Sequence, residues 1–181
     1  IVLVVRAPVS GLADLELGPA PLIVVTEDVQ KPGNLGAILR SADGAGADGV
    51  IAIGGTDLFN PNVVRASVGT VFAVPLATAT ATDARAWLRD QEIRIVAARV
   101  DGARLHSEAD LTGPLAIVLG SEAEGLTAAW RGVDVEPVRL PMLGVADSLN
   151  VSAAAAILLY EARRQRDAAA AENPARGHTG G

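Results

Sequence analysis

The chain has no cysteine, which removes disulfides, thiolate nucleophiles and cysteine-ligated zinc in one step. Its two histidines are too few for a metal site built by protein side chains, and no metal is expected. His106 and His178 both lie away from the Gly-rich segments described below and read as solvated bystanders. Aromatic residues make up only 3% of the chain, so the core has to be assembled from Val, Leu, Ile and Ala, which lets helices and strands approach closely. Trp87 and Trp130 fall in helical stretches and read as core or interface side chains. Lysine is reduced to Lys31, so nearly all positive charge is arginine, the residue suited to bidentate phosphate recognition. The net charge of −6 opposes nucleic-acid binding over the whole surface. Any RNA contact must be local or supplied by another segment. No apolar run is long enough to span a bilayer and no signal-peptide pattern opens the chain, so a cytoplasmic protein with no membrane contact is expected.

What is present is one domain's worth of chain: 181 residues, half of them apolar and a fifth charged. The opening "IVLVVRAP" reads as the last strand of something before it, and Val9 to Pro21, punctuated by Gly and Pro, as a linker. Residues 1–20 are therefore expected to be the end of a missing N-terminal module plus linker, 21–166 the domain proper, and 167–181 a frayed tail. Within the domain, apolar runs ("LIVVTE", "GVIAIGG", "VFAVPLA", "IRIVAARV", "PLAIVLG", "VEPVRLPM") alternate with helical stretches. Helices are expected from about Gly33 to Ala45, after Asn60-Pro61, around Asp83 to Asp90, briefly near Leu126, and from Ser148 onward. Nearly continuous apolar strands separated by helices predict an α/β fold, a mainly parallel sheet with helices on both faces.

Three loops at the expected carboxyl ends of strands, where open α/β sheets bind ligands, are rich in glycine or polar residues. They are "KPGNLGAILR", "GSEAEGL" (Gly120 to Leu126) and "PMLGVADSLNVS" (Pro141 to Ser152). Gly33, Gly36, Gly44 and Gly46 fit neither the Walker loop nor the GxGxxG dinucleotide fingerprint, which disfavours a doubly wound oxidoreductase. Taken singly, each loop is explained by turn chemistry, with Ser148 a simple helix cap.

Taken together, in this order and spacing, the loops resemble the three motifs of the SpoU (TrmH-type) RNA 2'-O-ribose methyltransferases of the SPOUT superfamily. The first is similar to the family's N-x-G-x-x-x-R as Asn34, Gly36 and Arg40. The second is similar to its G-x-E-x-E-G as Gly120, Glu122, Glu124 and Gly125, with Ala123 where the family often has glycine. The third, "LPMLGVADSLNVSAAAAILLYEARRQ", resembles the longest motif almost throughout. The resemblance covers Leu22 to Arg166 and implies a C-terminal trefoil knot, an S-adenosylmethionine cleft formed by it, a homodimer, an RNA substrate, either rRNA or tRNA, and an L30e-like RNA-binding module before the domain. The small-sided "SAAAA" opening the last helix suits close packing of a second copy.

The resemblance also implies roles. Backbone around Leu119, Gly120, Leu140, Met142 and Leu149 would hold the cofactor, with Gly120 presenting no side chain to obstruct it. The resemblance would make Arg40 the base on the ribose 2'-hydroxyl, but a guanidinium effectively never deprotonates, so Arg40 is expected instead to grip the substrate phosphate and stabilise the developing alkoxide. Asn34 lies about 240° round a helix from Arg40, so the two cannot share one face. Glu124 would orient Asn34 or Arg40. Ser148 and Asn150 would contact substrate or cofactor at the start of the last helix, and Arg65 RNA or a partner subunit. A knotted RNA-binding or assembly factor without chemistry is the alternative reading. The glycines of the first loop are expected to let RNA backbone come near.

Overall fold

The computed structural model describes residues 11–172. The strand expected at residues 1–8 lies outside them. Seven strands form one sheet in which every pairing is parallel. They are β1 (Leu22–Glu27), β2 (Gly49–Ile53), β3 (Leu76–Thr78), β4 (Arg94–Ala98), β5 (Arg104–Leu105), β6 (Leu115–Leu119) and β7 (Val135–Arg139), in the spatial order β3-β2-β1-β6-β4-β7-β5. Four helices accompany them: α1 (Pro32–Ala45), α2 (Pro61–Ser67), α3 (Ala81–Asp90) and α4 (Val151–Glu172). Alternation along each strand feeds two cores. Leu22 and Val24 of β1 join Leu115, Ile117 and Leu119 of β6 beneath α1, α2 and α4. Ile23 and Val25 join Ala116 and Val118 beneath α3 and Trp130. Burial on both faces is why the strands read as unbroken apolar runs.

Local chemistry explains the helix limits. α1 opens with Pro32 in its first turn, where the missing N–H costs nothing, and ends at Gly46, whose φ of +70° closes the last turn. α2 follows the expected Asn60 cap, whose side chain accepts from the Asn62 N–H, with Pro61 next. α4 buries Val151, Ala155, Leu158, Leu159 and Ala162, a helical stripe packed on α1 and β6.

Three expectations are corrected. The run "VFAVPLA" is not one strand: Thr70–Phe72 form a 3-10 turn and only Leu76–Thr78 pair, because Pro75 lacks the N–H that a ladder needs. The segment before Pro21 is not a free linker, since Leu15 is buried and Leu12 and Leu17 pack against the same core as Ile23. The last helix does not stop at Arg166 but continues to Glu172, and residues 173–181 lie outside the described part.

Candidate functional site

The carboxyl ends of β6, β4 and β7 lie side by side, and the loops leaving them enclose a cleft of about 500 Å³. One wall is Gly120 to Leu126 after β6, a second is Arg99 to Asp101 after β4, and the third is the segment after β7 with the first turns of α4. Leu119, Gly120, Leu140, Met142 and Leu149 all line it. Ser148 and Glu124 line it as well. Four carboxylates (Asp101, Glu122, Glu124 and Asp147) face it against two guanidiniums (Arg99 and Arg131), so the lining is net negative.

At the lip of this cleft three motifs meet on one carboxylate. Asn34 Nδ2 donates to Glu122 Oε1 at 2.7 Å, and Asn150 Nδ2 donates to the same oxygen at 2.7 Å and to Asn34 Oδ1 at 3.2 Å. Lys31 Nζ pairs with Glu122 Oε2 at 2.5 Å. Lys31 holds the Glu122 carboxyl below the usual range, first through its hydrogen bond and then its charge, with smaller help from Asn34 and the Val151 backbone; partial burial pulls the other way. Glu122 is therefore an ionised acceptor fully engaged with donors.

That arrangement corrects the expected pairing. Glu124 orients neither Asn34 nor Arg40: its side chain is exposed and unbonded among the described residues, and only its backbone N–H is engaged, by Ser121 Oγ at 3.1 Å. The turn Ser121 to Gly125 closes through the Gly125 N–H on Ser121 O, with Gly125 at φ +67°. Residue 122 then points at α1, whereas residue 124 lies on the open side of the cleft. Ala123 keeps a negative φ, so its Cβ costs no backbone strain. Nor does Ser148 cap the last helix. α4 begins at Val151, and Asn150 Oδ1 accepts from the Ser152 N–H at 2.9 Å and from its hydroxyl at 2.6 Å. Asn150 thus has two tasks: its oxygen caps α4 while its nitrogen holds Glu122.

Residues 21–160 match the model of the SpoU rRNA methylase family. The chain belongs to that family. A 23S rRNA (guanosine-2'-O-)-methyltransferase RlmB of Vibrio parahaemolyticus is 40% identical over 152 residues, covering 82% of this chain and 61% of the relative. A crystal structure of an RNA 2'-O ribose methyltransferase is 47% identical with a TM-score of 0.79, covering 85% of this chain and 60% of that one. An AdoMet-bound rRNA methyltransferase from Sinorhizobium meliloti is 38% identical with a TM-score of 0.81, over 86% and 60%. The chain spans about 60% of the length of the curated relatives it matches.

Two glycines of this SpoU-family chain have packing roles beyond those expected. A Cβ on Gly120 would strike the carbonyl of Gly125 and come within 2.6 Å of Leu126 N, so the missing side chain of Gly120 also admits the crossing of its own loop. A Cβ on Gly36 would lie 2.5 Å from Ala66 Cβ, so Gly36 brings α2 against α1 and is not open to RNA; Gly33, with nothing near it, is. Arg40 is exposed, lines no part of the cleft and has no hydrogen bond or ion pair among the described residues. Arg65 is exposed on α2, where its Nη1 lies 3.4 Å from Asn62 Oδ1. Trp130 is fully buried in the core.

Other functional positions were not legible as such. Glu27 ends β1 as a buried carboxylate that accepts from the Thr127 N–H and hydroxyl, both at 2.8 Å, and so ties the Gly120 loop to β1. Its signal was a charge closing an otherwise apolar strand. Arg99 and Asp101 put a two-point ion pair (2.8 and 2.6 Å) into the middle wall of the cleft. Their signal was a charge pair at a strand's carboxyl end.

Proposed function

We propose that this SpoU-family domain transfers a methyl group from S-adenosylmethionine to a ribose 2'-hydroxyl of large-subunit rRNA, in the cytoplasm. The observation that carries the proposal is the Asn34–Glu122–Asn150 network standing at the lip of the cleft that Gly120, Leu140, Met142 and Leu149 line. The cleft suits the cofactor: Leu119, Leu140, Met142 and Leu158 offer apolar surface to an adenine, and the net negative lining favours a sulfonium and an ammonium. The activities for which its relatives are named support the same reading.

When bound, S-adenosylmethionine supplies an electrophilic methyl carbon. The ribose oxygen would take that carbon as the carbon–sulfur bond opens toward sulfur, with the hydroxyl proton passing to water or another group. The protein's larger contribution is holding the oxygen in line. Glu122 is a poor proton acceptor because Lys31 and the two asparagines stabilise its charge. Its role is to fix Asn34 and Asn150, whose amides can then orient the ribose. Arg40 grips the adjoining phosphate and stabilises the alkoxide.

Arg40 cannot do this in its own protomer's cleft, because it stands about 240° from Asn34 on α1. It shares a face with Gly44, one turn on, and Gly44 lies against the Tyr160 hydroxyl of α4. Ile157 and Tyr160 are exposed on that side. We therefore propose a homodimer joined through this strip of α4, in which Arg40 serves the partner's cleft. We also propose that the segment between β7 and α4, which lines the cleft beside β4 and β6 and leads to α4 on α1, closes the trefoil knot. We also assign part of the RNA affinity to an L30e-like module outside this domain, which accounts for the acidic balance.

Incubating the intact protein with tritiated S-adenosylmethionine and 23S rRNA transcript tests the activity. The expected product is a 2'-O-methylnucleoside, detected by mass spectrometry after digestion. No methyl transfer to rRNA together with no calorimetric binding of S-adenosylmethionine would overturn it in favour of a knotted RNA-binding factor.

A further inference from the structure

A second cleft, of about 330 Å³, opens at the carboxyl ends of β2 and β3. It belongs neither to the cofactor cleft nor to the Glu122 network. Its floor is apolar and buried, made of Ala52, Leu58, Leu76 and Ala77, with Phe59 at one side. Its rim is polar but uncharged except for Asp57, whose Oδ1 already accepts from the Phe59 N–H at 3.0 Å. No cation lines it, so neither a phosphate nor a carboxylate would be held there. A flat, uncharged ring with donors and acceptors on its edge would be: its face meets the apolar floor while Thr56, Thr78 and the Gly54–Gly55 backbone meet its edge.

The cleft is joined to the candidate acceptor site. Its wall, Gly54 to Thr56, is fastened to the loop that leads into Lys31 and Asn34. The Asp28 N–H donates to Ile53 O at 2.8 Å, the Thr56 N–H donates to Val29 O at 3.1 Å, and the Thr56 hydroxyl donates to Gln30 O. Gly55 sits so close to that loop that a Cβ would lie 2.7 Å from Val29 O. β2 and β3 lie two and three strands from β6, at about 4.8 Å per strand. The second cleft therefore opens on the same edge as Asn34, within about 15 Å of Gly120, the reach of a neighbouring nucleotide. α2 begins just beyond Phe59 and carries the exposed Arg65, free of any carboxylate partner among the described residues.

We propose, resting on the function assigned above, that this second cleft takes a nucleobase of the RNA substrate next to the acceptor nucleotide, with Arg65 on the adjoining phosphate. The base stacks over Leu58 and Phe59, and its edge is read by Thr56, Thr78 and main-chain groups. Because the cleft wall and the Asn34 loop are one hydrogen-bonded unit, a base seated there also steadies the acceptor side.

The test fills the cleft from its exposed rim. In the intact protein, Thr78→Trp is expected to raise the KM for 23S rRNA transcript by about tenfold, with kcat within about twofold and calorimetric binding of S-adenosylhomocysteine unchanged. Unchanged KM and unchanged RNA affinity by fluorescence anisotropy would overturn the cleft while leaving the methyltransferase reading intact. A second measurement needs no variant. Transcript carrying 4-thiouridine, photocrosslinked to the wild-type protein, should attach within residues 54–59 or 76–79. Crosslinks confined to the Lys31–Arg40 region and the cofactor loops would overturn the proposal. Crosslinks in the cleft without methyl transfer would sustain it and sink the assigned activity instead.

Discussion

Two polar clusters, one at each end of the sheet, use their side chains in opposite ways. The cluster at the amino end, around Arg166 and Gln165, bonds mainly to the main chain. Arg166 Nη1 donates to Ala20 O at 2.7 Å and Nη2 to Gly113 O at 2.5 Å, while Gln165 accepts from the Leu111 N–H at 2.8 Å and donates to Ala109 O at 3.1 Å. The cluster at the carboxyl end, Asn34, Glu122, Asn150 and Lys31, is bonded chiefly side chain to side chain and is largely exposed. A carbonyl covered by the long Arg166 side chain has no better partner than the guanidinium it already has, so the first set is a fastening. Exposed side chains bonded to side chains can exchange partners for a substrate at little cost. Stability and chemistry are thus expected to separate along the strand axis.

Substitutions at the two ends should break or sharpen that contrast, and the largest effect is expected from a residue bonded to nothing. Arg40→Ala should lower methyl transfer by about 100-fold or more with an unchanged melting temperature. A matching fall in thermal stability would mean that Arg40 belongs with the fastenings. Arg40→Lys keeping near-full rate would remove the case for a guanidinium in particular. Glu122→Gln should come next, cutting kcat by about tenfold to 100-fold by loosening both asparagines, while Glu124→Gln stays near wild type. Equal losses in the two variants, measured by the same tritium transfer, would contradict the geometry at the lip.

Gly120→Ala mixes the two behaviours, because its Cβ meets the backbone of Gly125 and Leu126. It should cost about 1–3 kcal/mol in denaturant unfolding and weaken S-adenosylhomocysteine binding together. Loss of binding with full stability would leave Gly120 the role of cofactor clearance alone. At the amino end, Arg166→Met should lower stability by about 1–3 kcal/mol, since the carbonyls of Ala20, Pro21 and Gly113 lose their donor, with kcat per folded molecule unchanged. The smallest effect concerns pH. Arg164, then Gln165, hold Glu161 down from its ordinary 4.5 to about 2. A carboxyl depressed in the folded state adds stability that is present above its unfolded pKa and is lost as pH falls from about 4.5 toward about 2. Glu161→Gln should therefore be least stable relative to wild type near neutrality and converge with it only as pH falls to about 2. A gap that stays constant across that range would show that the ionised carboxylate contributes nothing.

Much of the fold was legible because parallel strands covered on both faces leave unbroken apolar runs, and because Asn60-Pro61 and Gly46 mark helix ends locally. β3 was overextended because its run contains Pro75, whose missing N–H matters only once a neighbouring strand offers a carbonyl. β5 went unread because two residues, Arg104 and Leu105, pair with Val138 and Arg139 and carry no period of their own. The cofactor loops were readable as loops, and their residues Gly120, Leu140, Met142 and Leu149 do line one cleft. The polar partner within them was not.

The sequence by itself determined the α/β alternation, the three loops and their family. Only the tertiary structure decided which glutamate faces Asn34, which side chain caps α4, and what Gly120 and Gly36 make room for. The physical reason is range. Periodicity and capping act over a few residues, whereas Asn34 meets Glu122 across 88 positions and Asn150 across 116. The direction of a side chain in a five-residue turn is set by how that turn closes and by what the rest of the chain brings against it.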